Sequence, residues 1–234
     1  HVFELYSNGN ELGSGRFVRG DSTMNSENSY KWVTSLDYRS TFLDVRLDAY
    51  LQWVKNYIYD RPMKGQHVTV ISGTYPLFQY MQTDAFIRGI DLDLRVRPLA
   101  EIEYHFVSSM IWANERHTNN YLPYIPSFRF NHSLTYTPKL PGKFSPWLEL
   151  RHRFVARQHR FDAATDLIDF APASYSLFGF EAGTEWRIDA NNALSLFISA
   201  DNLFNKEYKE YTNRARYYAH DLGRDIRINL SWKF

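Results

Sequence analysis

Between Leu43 and Trp53 the odd positions are Leu43, Val45, Leu47, Ala49, Leu51 and Trp53, and the even ones are Asp44, Arg46, Asp48, Tyr50 and Gln52. A period of two sends successive side chains to opposite faces, so this segment predicts a strand with one apolar and one polar face. The pattern returns with Ile90, Leu92, Leu94 and Val96 against Asp91, Asp93, Arg95 and Arg97, and with Ile102, Tyr104, Phe106, Met110 and Trp112 against Glu101, Glu103, His105 and Ser109. It recurs at Phe128, Phe130, Leu134 and Tyr136, at Leu148, Leu150, Phe154 and Ala156, and at Phe178, Phe180, Ala182, Trp186 and Ile188. The last strand alternates Ile226, Ile228, Leu230, Trp232 and Phe234 with Arg227, Asn229, Ser231 and Lys233. With segments near 30–39 and 193–204, about nine antiparallel strands are predicted, many longer than the roughly 5–6 residues of an ordinary strand. No amphipathic helix stands out.

Alternation fits two architectures. In a soluble sandwich the polar face meets water and two apolar faces meet each other. In an outer-membrane barrel the apolar face meets lipid and the polar face lines the lumen. Connection lengths separate them. Those at 39–41, 97–100, 137–143 and 189–192 are short, whereas those near 60–81, 115–124, 161–174 and 206–222 are long. Short turns at one rim and long loops at the other favour the membrane barrel, with the short turns periplasmic and Phe234 at that rim.

Composition adds limits. The 234 residues include 17 Phe, 17 Tyr, 6 Trp and no Cys, which excludes a disordered chain and a disulfide scaffold. No run reaches the roughly 18 consecutive apolar residues of a membrane helix. A net charge of +1 supplies no global field for nucleic acid, so no nucleic-acid partner is expected. No signal-peptide or transit pattern opens the chain at His1-Val2-Phe3, which reads as mature or truncated.

Two stretches carry a family likeness. Ala200-Asp-Asn202-Leu203-Phe204-Asn205-Lys206-Glu-Tyr208, followed by Gly223-Arg224 and a final strand ending on Phe234, resembles the C-terminus of a TonB-dependent outer-membrane receptor. Glu4-Leu-Tyr6-Ser-Asn8-Gly9, with Gly20-Asp21 and Glu27, resembles a segment midway along barrels of the iron-siderophore, haem and zinc branch. Asn56-Tyr57-Ile58-Tyr59, Gln82-Thr83-Asp84-Ala85 and the Leu122-Pro123 to Pro126 stretch resemble that branch more loosely. The family barrel has 22 strands around a plug domain. The resemblance therefore implies an all-β fold: the C-terminal portion of a transmembrane antiparallel β-barrel, about nine or ten strands of it, with residues 1–234 lying wholly in the barrel domain and the plug domain absent from this chain. An open or externally completed sheet is expected, with no pairing between the last strand and the first. It also implies TonB-dependent import of a ferric siderophore or other metal complex, no resident cofactor, and as partners the outer-membrane lipid, the remaining barrel strands and plug, and TonB acting through that plug.

Candidate ligand contacts are loop residues able to stack or hydrogen-bond: Tyr6, Asn8, Tyr75, Tyr80, His117, Tyr121, Tyr124, Tyr211, Arg214 and Tyr217. The basic run Arg151-His-Arg153-Phe-Val-Ala-Arg157-Gln-His-Arg160 reads either as an anion-attracting wall or as lumenal charge balanced by Glu101, Glu103, Glu149, Glu181 and Glu185. The second is favoured. The eight His form no His-x-x-x-His or Cys/His cluster, and no phosphate loop or nucleophile elbow is present. No enzyme activity is expected; the alternative is a small self-contained barrel acting as a protease or porin.

Overall fold

The computed structural model describes residues 2–189 and 192–234. A one-turn helix, α1 (Val2–Tyr6), is followed by the strands β1 (Asn8–Glu11), β2 (Arg16–Arg19), β3 (Asn28–Arg39), β4 (Leu43–Val70), β5 (Gly73–Leu99) and β6 (Ile102–Glu115). Next come β7 (Arg129–Tyr136), β8 (Phe144–Val155), β9 (Tyr175–Arg187), β10 (Ala193–Asp201) and β11 (Asp225–Lys233). From β3 to β11 each strand pairs antiparallel with the next, as the alternation predicts. Among the described residues β3 and β11 do not pair, so the nine-stranded meander is an open portion of a transmembrane barrel.

Register places the faces. Val45 lies opposite Leu94, Leu94 opposite Phe106, Phe106 opposite His132, His132 opposite His152, and His152 opposite Phe178, a continuous row on the outward face. The neighbouring row carries Asp44, Arg95, His105, Ser133 and Arg151 on the concave face. The stretch from Leu43 to Trp53, at roughly 3.3 Å per residue and a tilt near 40°, covers about 25 Å, the height of a barrel's apolar band. Phe144 and Trp186, stacked 5.6 Å apart, mark the short-turn boundary of that band, while Trp53 and Phe86, 5.4 Å apart, mark the long-loop boundary. Within the outward row the two histidines share one hydrogen bond: His132 Nε2 is 2.8 Å from His152 Nδ1, and the His152 ring stacks on Phe178 at 4.4 Å.

Charges on the concave face pair locally. Arg97 bonds Asp44 and Glu103 at 2.8 and 2.7 Å, and Arg151 joins Glu181 and Asp201. Arg153 bonds Glu210 at 2.6 Å, and Lys139 bonds Glu101 at 3.1 Å. Arg151 and Arg153 in the basic run are thus neutralised, although Asp201 and Glu210 share the task with the expected Glu181.

One expectation needs correction, and the chain start adds structure. The segment near 60–81 is not a loop: β4 and β5 continue as a paired hairpin from Tyr57 and Thr83 to Val70 and Gly73, with only Ile71 and Ser72 at the turn. Its bulges and mixed polarity hide the period of two, because a bulge shifts parity; Asn56 at φ 58° and Gly65 at φ 77° supply the left-handed backbone there. The segment before β3 carries structure of its own. It forms α1 and the β1–β2 hairpin, and β2 lies parallel to β5 from Phe17–Leu77 to Arg19–Gln79, in the place β6 vacates when it ends at Glu115 opposite Ala85. Among the described residues the sheet thus has eleven strands, nine of them in the expected antiparallel meander. Of the short turn expected at 189–192, Ala190 and Asn191 lie outside the described residues.

Candidate functional site at the long-loop rim

The long connections fold over the rim and knit together around buried charges. Asp60, carried up by the β4 hairpin, accepts from Arg16 of β2 and from both terminal nitrogens of Arg214, which belongs to a 3-10 turn at Arg214–Tyr217. The Asp60 side chain is 4% exposed. Burial opposes its ionised form, but the guanidinium groups of Arg214 and Arg16 outweigh that and hold the carboxyl below its ordinary value. Arg16 also packs over Phe78 at 5.0 Å and donates to Ser14 at 2.9 Å.

A second charge centre sits beside the first. Arg216 is 0% exposed, bonds Asp166 (1% exposed), donates from Nε to the Tyr211 carbonyl at 3.0 Å, and lies over the rings of Tyr211 and Tyr217 at 4.8 and 4.4 Å. Tyr124 and Tyr217 share a hydroxyl contact of 2.9 Å, and Arg214 lies 4.6 Å over the Tyr124 ring. Burial pushes the phenols of Tyr124 and Tyr211 up to about 12, so both stay protonated donors at any physiological pH.

Four of the ten sequence candidates, Tyr124, Tyr211, Arg214 and Tyr217, thus converge on one cluster. Tyr80 lies at its edge, opposite Asp60 in the register of β4 and β5, and the other five stand apart. Tyr6 and Asn8 are exposed on α1 and β1. Tyr75 bonds the Ser72 carbonyl at 3.1 Å near the hairpin tip, and Tyr80 meets Phe3 edge-on at 6.1 Å. His117 is three-quarters exposed and 3.4 Å from Asp84, and Tyr121 bridges Asn114. Sequence reasoning passed over Arg16, Asp60, Asp166 and Arg216. Their partners lie 44 to 154 residues away along the chain, and no local spacing signals such a contact.

The motif near the C-terminus is a turn that binds the last loop to its own base. Asn202 and Asn205 adopt left-handed backbone at φ 47° and 52°, a conformation asparagine tolerates better than most residues. The Asn202 amide accepts from Lys206 N–H at 2.8 Å and donates to the Lys206 and Leu222 carbonyls at 2.9 and 3.3 Å. The Asn205 side chain accepts from Arg224 N–H at 2.9 Å, and a Cβ on Gly223 would lie 2.7 Å from that same oxygen. Leu203 N–H donates to Phe178 O at 2.8 Å, Phe204 packs on the Phe178 ring at 5.5 Å, and Tyr208 packs on Tyr175 at 4.5 Å. Phe234 is almost fully exposed just past the end of β11. Asn202→Ala is expected to destabilise the 206–222 loop by about 1–2 kcal/mol, since it removes three hydrogen bonds between a buried amide and the backbone of Lys206 and Leu222; hydrogen exchange across that loop checks this.

Beneath the loop lies a cavity of about 310 Å³ between residues 168–175 and 206–220. Lys206, Lys209, Arg216 and His220 bring basic groups to its wall and Glu207 a single acidic one, alongside Tyr175, Tyr208 and the apolar Phe170. Arg216 Nη1, buried there, has no hydrogen-bond partner among the described residues. Among those residues no cluster of three His, Cys, Asp or Glu is arranged to hold a metal.

Comparison with known proteins bears on the whole architecture. Residues 2–203 match the family described as "TonB dependent receptor-like, beta-barrel". No curated protein matches the sequence. Among solved structures, the copper transporter OprC is similar with a TM-score of 0.68 at 20% identity, over 91% of this chain and 31% of that one. The siderophore receptor PirA from Acinetobacter baumannii is similar with a TM-score of 0.63 at 16% identity, over 94% and 33%. BauA, the ferric preacinetobactin receptor from Acinetobacter baumannii, is similar with a TM-score of 0.66 at 14% identity, over 88% and 29%. At such identities the likeness is one of fold, and this chain spans about a third of the length of those structures. An open antiparallel meander with an apolar outer face and a charged inner one, matched to the family over most of its length, makes this chain a member of the TonB-dependent receptor β-barrel family.

Proposed function

We infer that this chain is the C-terminal part of the barrel domain of a bacterial outer-membrane receptor, with further strands and the plug domain supplied by residues outside it. In this reading the receptor imports a scarce nutrient by TonB-driven transport acting through the plug, and catalyses no reaction. The cargo is an anionic metal complex, a ferric siderophore first, as the likeness of the Glu4–Gly9 segment to the iron branch suggests. The observation that carries the reading is the cavity under the last loop, where Lys206, Lys209 and His220, with one carboxylate, Glu207, and two tyrosines, share a wall with Arg216 and its unpartnered buried guanidinium nitrogen. Such a wall suits an anion with an aromatic or apolar body. Tyr6, Asn8, Tyr75, Tyr80, His117 and Tyr121 then serve as outer contacts, and Tyr124, Tyr211, Arg214 and Tyr217 hold the loops that frame the cavity.

Growth of a deletion strain on defined iron-siderophore, haem, zinc and copper sources tests the cargo. Loss of growth on a ferric siderophore alone is expected; loss on copper or haem alone would reassign it. In the complemented strain, Lys206→Gln with Lys209→Gln is expected to lower siderophore uptake about tenfold, the loss of two charge-assisted contacts. Unchanged uptake with normal surface levels would remove the cavity from the proposal.

A further inference from the structure

The register of β4, β5 and β6 puts a cationic side chain where a barrel ordinarily shows lipid-facing apolar groups. Leu51 pairs with Arg88, and Arg88 with Trp112, on the same outward row; one step nearer the long-loop rim, Trp53 pairs with Phe86. Arg88 is exposed, and its guanidinium lies 5.9 Å from the Phe86 ring and 5.8 Å from the Trp112 ring. A second guanidinium, Arg160 from the loop after β8, approaches the same Trp112 ring at 5.4 Å, and its Nε is buried without a partner. Among the described residues neither arginine forms an ion pair. Glu115, close by, has its oxygens occupied by Tyr59, Thr118 and Asn120.

Two unpaired guanidinium groups converging on one indole repel each other and call for an anion. At this depth, level with the outer aromatic boundary, a charged side chain on the outer face is within reach of headgroups rather than acyl tails. Guanidinium forks match the oxygens of a phosphate, and the indole adds cation–π contact that leaves their donors free to point outward. Immediately toward the membrane centre runs a groove of about 360 Å³, floored by Thr34 and Ala49 and walled by Trp32, Leu51 and Ile90, with Arg88 and Trp112 at its upper end. Small residues between large ones on an outward face leave a channel of the width of a hydrocarbon chain.

We propose that this outward site binds a phosphorylated lipid of the outer leaflet, its phosphate held by Arg88 and Arg160 over Trp112 and one acyl chain lying in the groove past Ala49. The proposal goes beyond transport and depends on the outer-membrane placement given above. Membrane fractionation of the intact protein comes first. Absence from the outer membrane would overturn that placement, whereas presence there leaves the lipid site to be judged by itself.

The intact protein is then extracted in mild detergent, and bound phosphorylated glycolipid is counted by native mass spectrometry. Arg88→Gln with Arg160→Gln is expected to lower lipid retention about tenfold, and Arg88→Lys with Arg160→Lys to keep most of it. Ala49→Leu, which fills the groove without touching the charges, is expected to lower it as well and serves if the double variant fails to fold. Arg39→Gln, at the opposite rim, is the unaffected control. Delipidated protein is next heated with phosphorylated lipid A, with dephosphorylated lipid A, or with inorganic phosphate. Protection by the first alone is expected. Equal protection by dephosphorylated lipid, equal protection by inorganic phosphate, or unchanged lipid retention in the glutamine variant would overturn the proposal.

Discussion

Asp60→Ala in the intact protein is expected to release the outer loops together. The substitution leaves Arg16, 6% exposed, and Arg214, about a third exposed, facing each other without their shared carboxylate. Removing one partner of a buried ion pair costs about 3–5 kcal/mol, and the partial exposure of Arg214, with the Glu11 carboxylate that still bonds Arg16 at 2.5 Å, places this case in the lower half of that range. The loss should appear as faster hydrogen exchange in both the β1–β2 hairpin and residues 206–222, two segments joined by this carboxylate and by the Tyr218 hydroxyl, which donates to the Gly15 carbonyl at 2.7 Å. Exchange unchanged in either segment would show that the clamp does not join them. The same group sets a pH dependence. Its carboxyl titrates lower in the folded protein than in the unfolded chain, so its stabilisation is complete above the ordinary aspartate value of about 3.9. That stabilisation is lost only as pH falls through the lower folded value. The loops should therefore stay closed at pH 5 and open in stronger acid, and Asp60→Asn should abolish that transition.

The second large effect concerns which face meets lipid. Leu94, between Val45 and Phe106 on the outward row, is mid-height in the apolar band, and Leu94→Arg there is expected to cost about 2–4 kcal/mol in bilayer unfolding measurements. Val107, on the adjacent strand, faces the concave side between Asp93 and Asn131. Val107→Arg should be nearly neutral, since it gains a carboxylate neighbour and an aqueous surface. Equal costs for the two would contradict the assignment of faces.

The concave face holds two further glycine sites with a definite physical role. Gly89 pairs with Tyr50 and Gly183 with Trp147, and a Cβ on either glycine would fall within 3 Å of the facing ring. The ring lies flat across the strand where the glycine has no side chain, covering backbone otherwise open to the lumen. Gly183→Val is expected to lift Trp147 off Phe197, now 6.0 Å away, at a cost of about 1–3 kcal/mol, visible as a change in tryptophan emission.

Much of the sheet was legible from the sequence because a strand buried on neither side by protein needs only its own period of two. Leu43 to Trp53, Ile90 to Val96 and Ile226 to Trp232 each declare which residues face out, and neighbours in the chain are neighbours in the sheet. The Asn202 to Tyr208 motif was legible for a different reason, since its hydrogen bonds close within a few residues or onto the start of the next strand. The hairpin beyond Tyr57 was missed where bulges at Asn56 and Gly65 shift parity and erase the pattern. The loop cluster was half seen: stacking residue types identified Tyr124, Tyr211, Arg214 and Tyr217, but Asp60, Arg16, Asp166 and Arg216 carry no local mark. A local hydrogen bond or an alternating face is written in consecutive residues, and the chain alone determined those. Which distant carboxylate meets which guanidinium, and which arginine emerges on the lipid side, depends on register and loop closure summed over the whole sheet, and only the tertiary structure decided them.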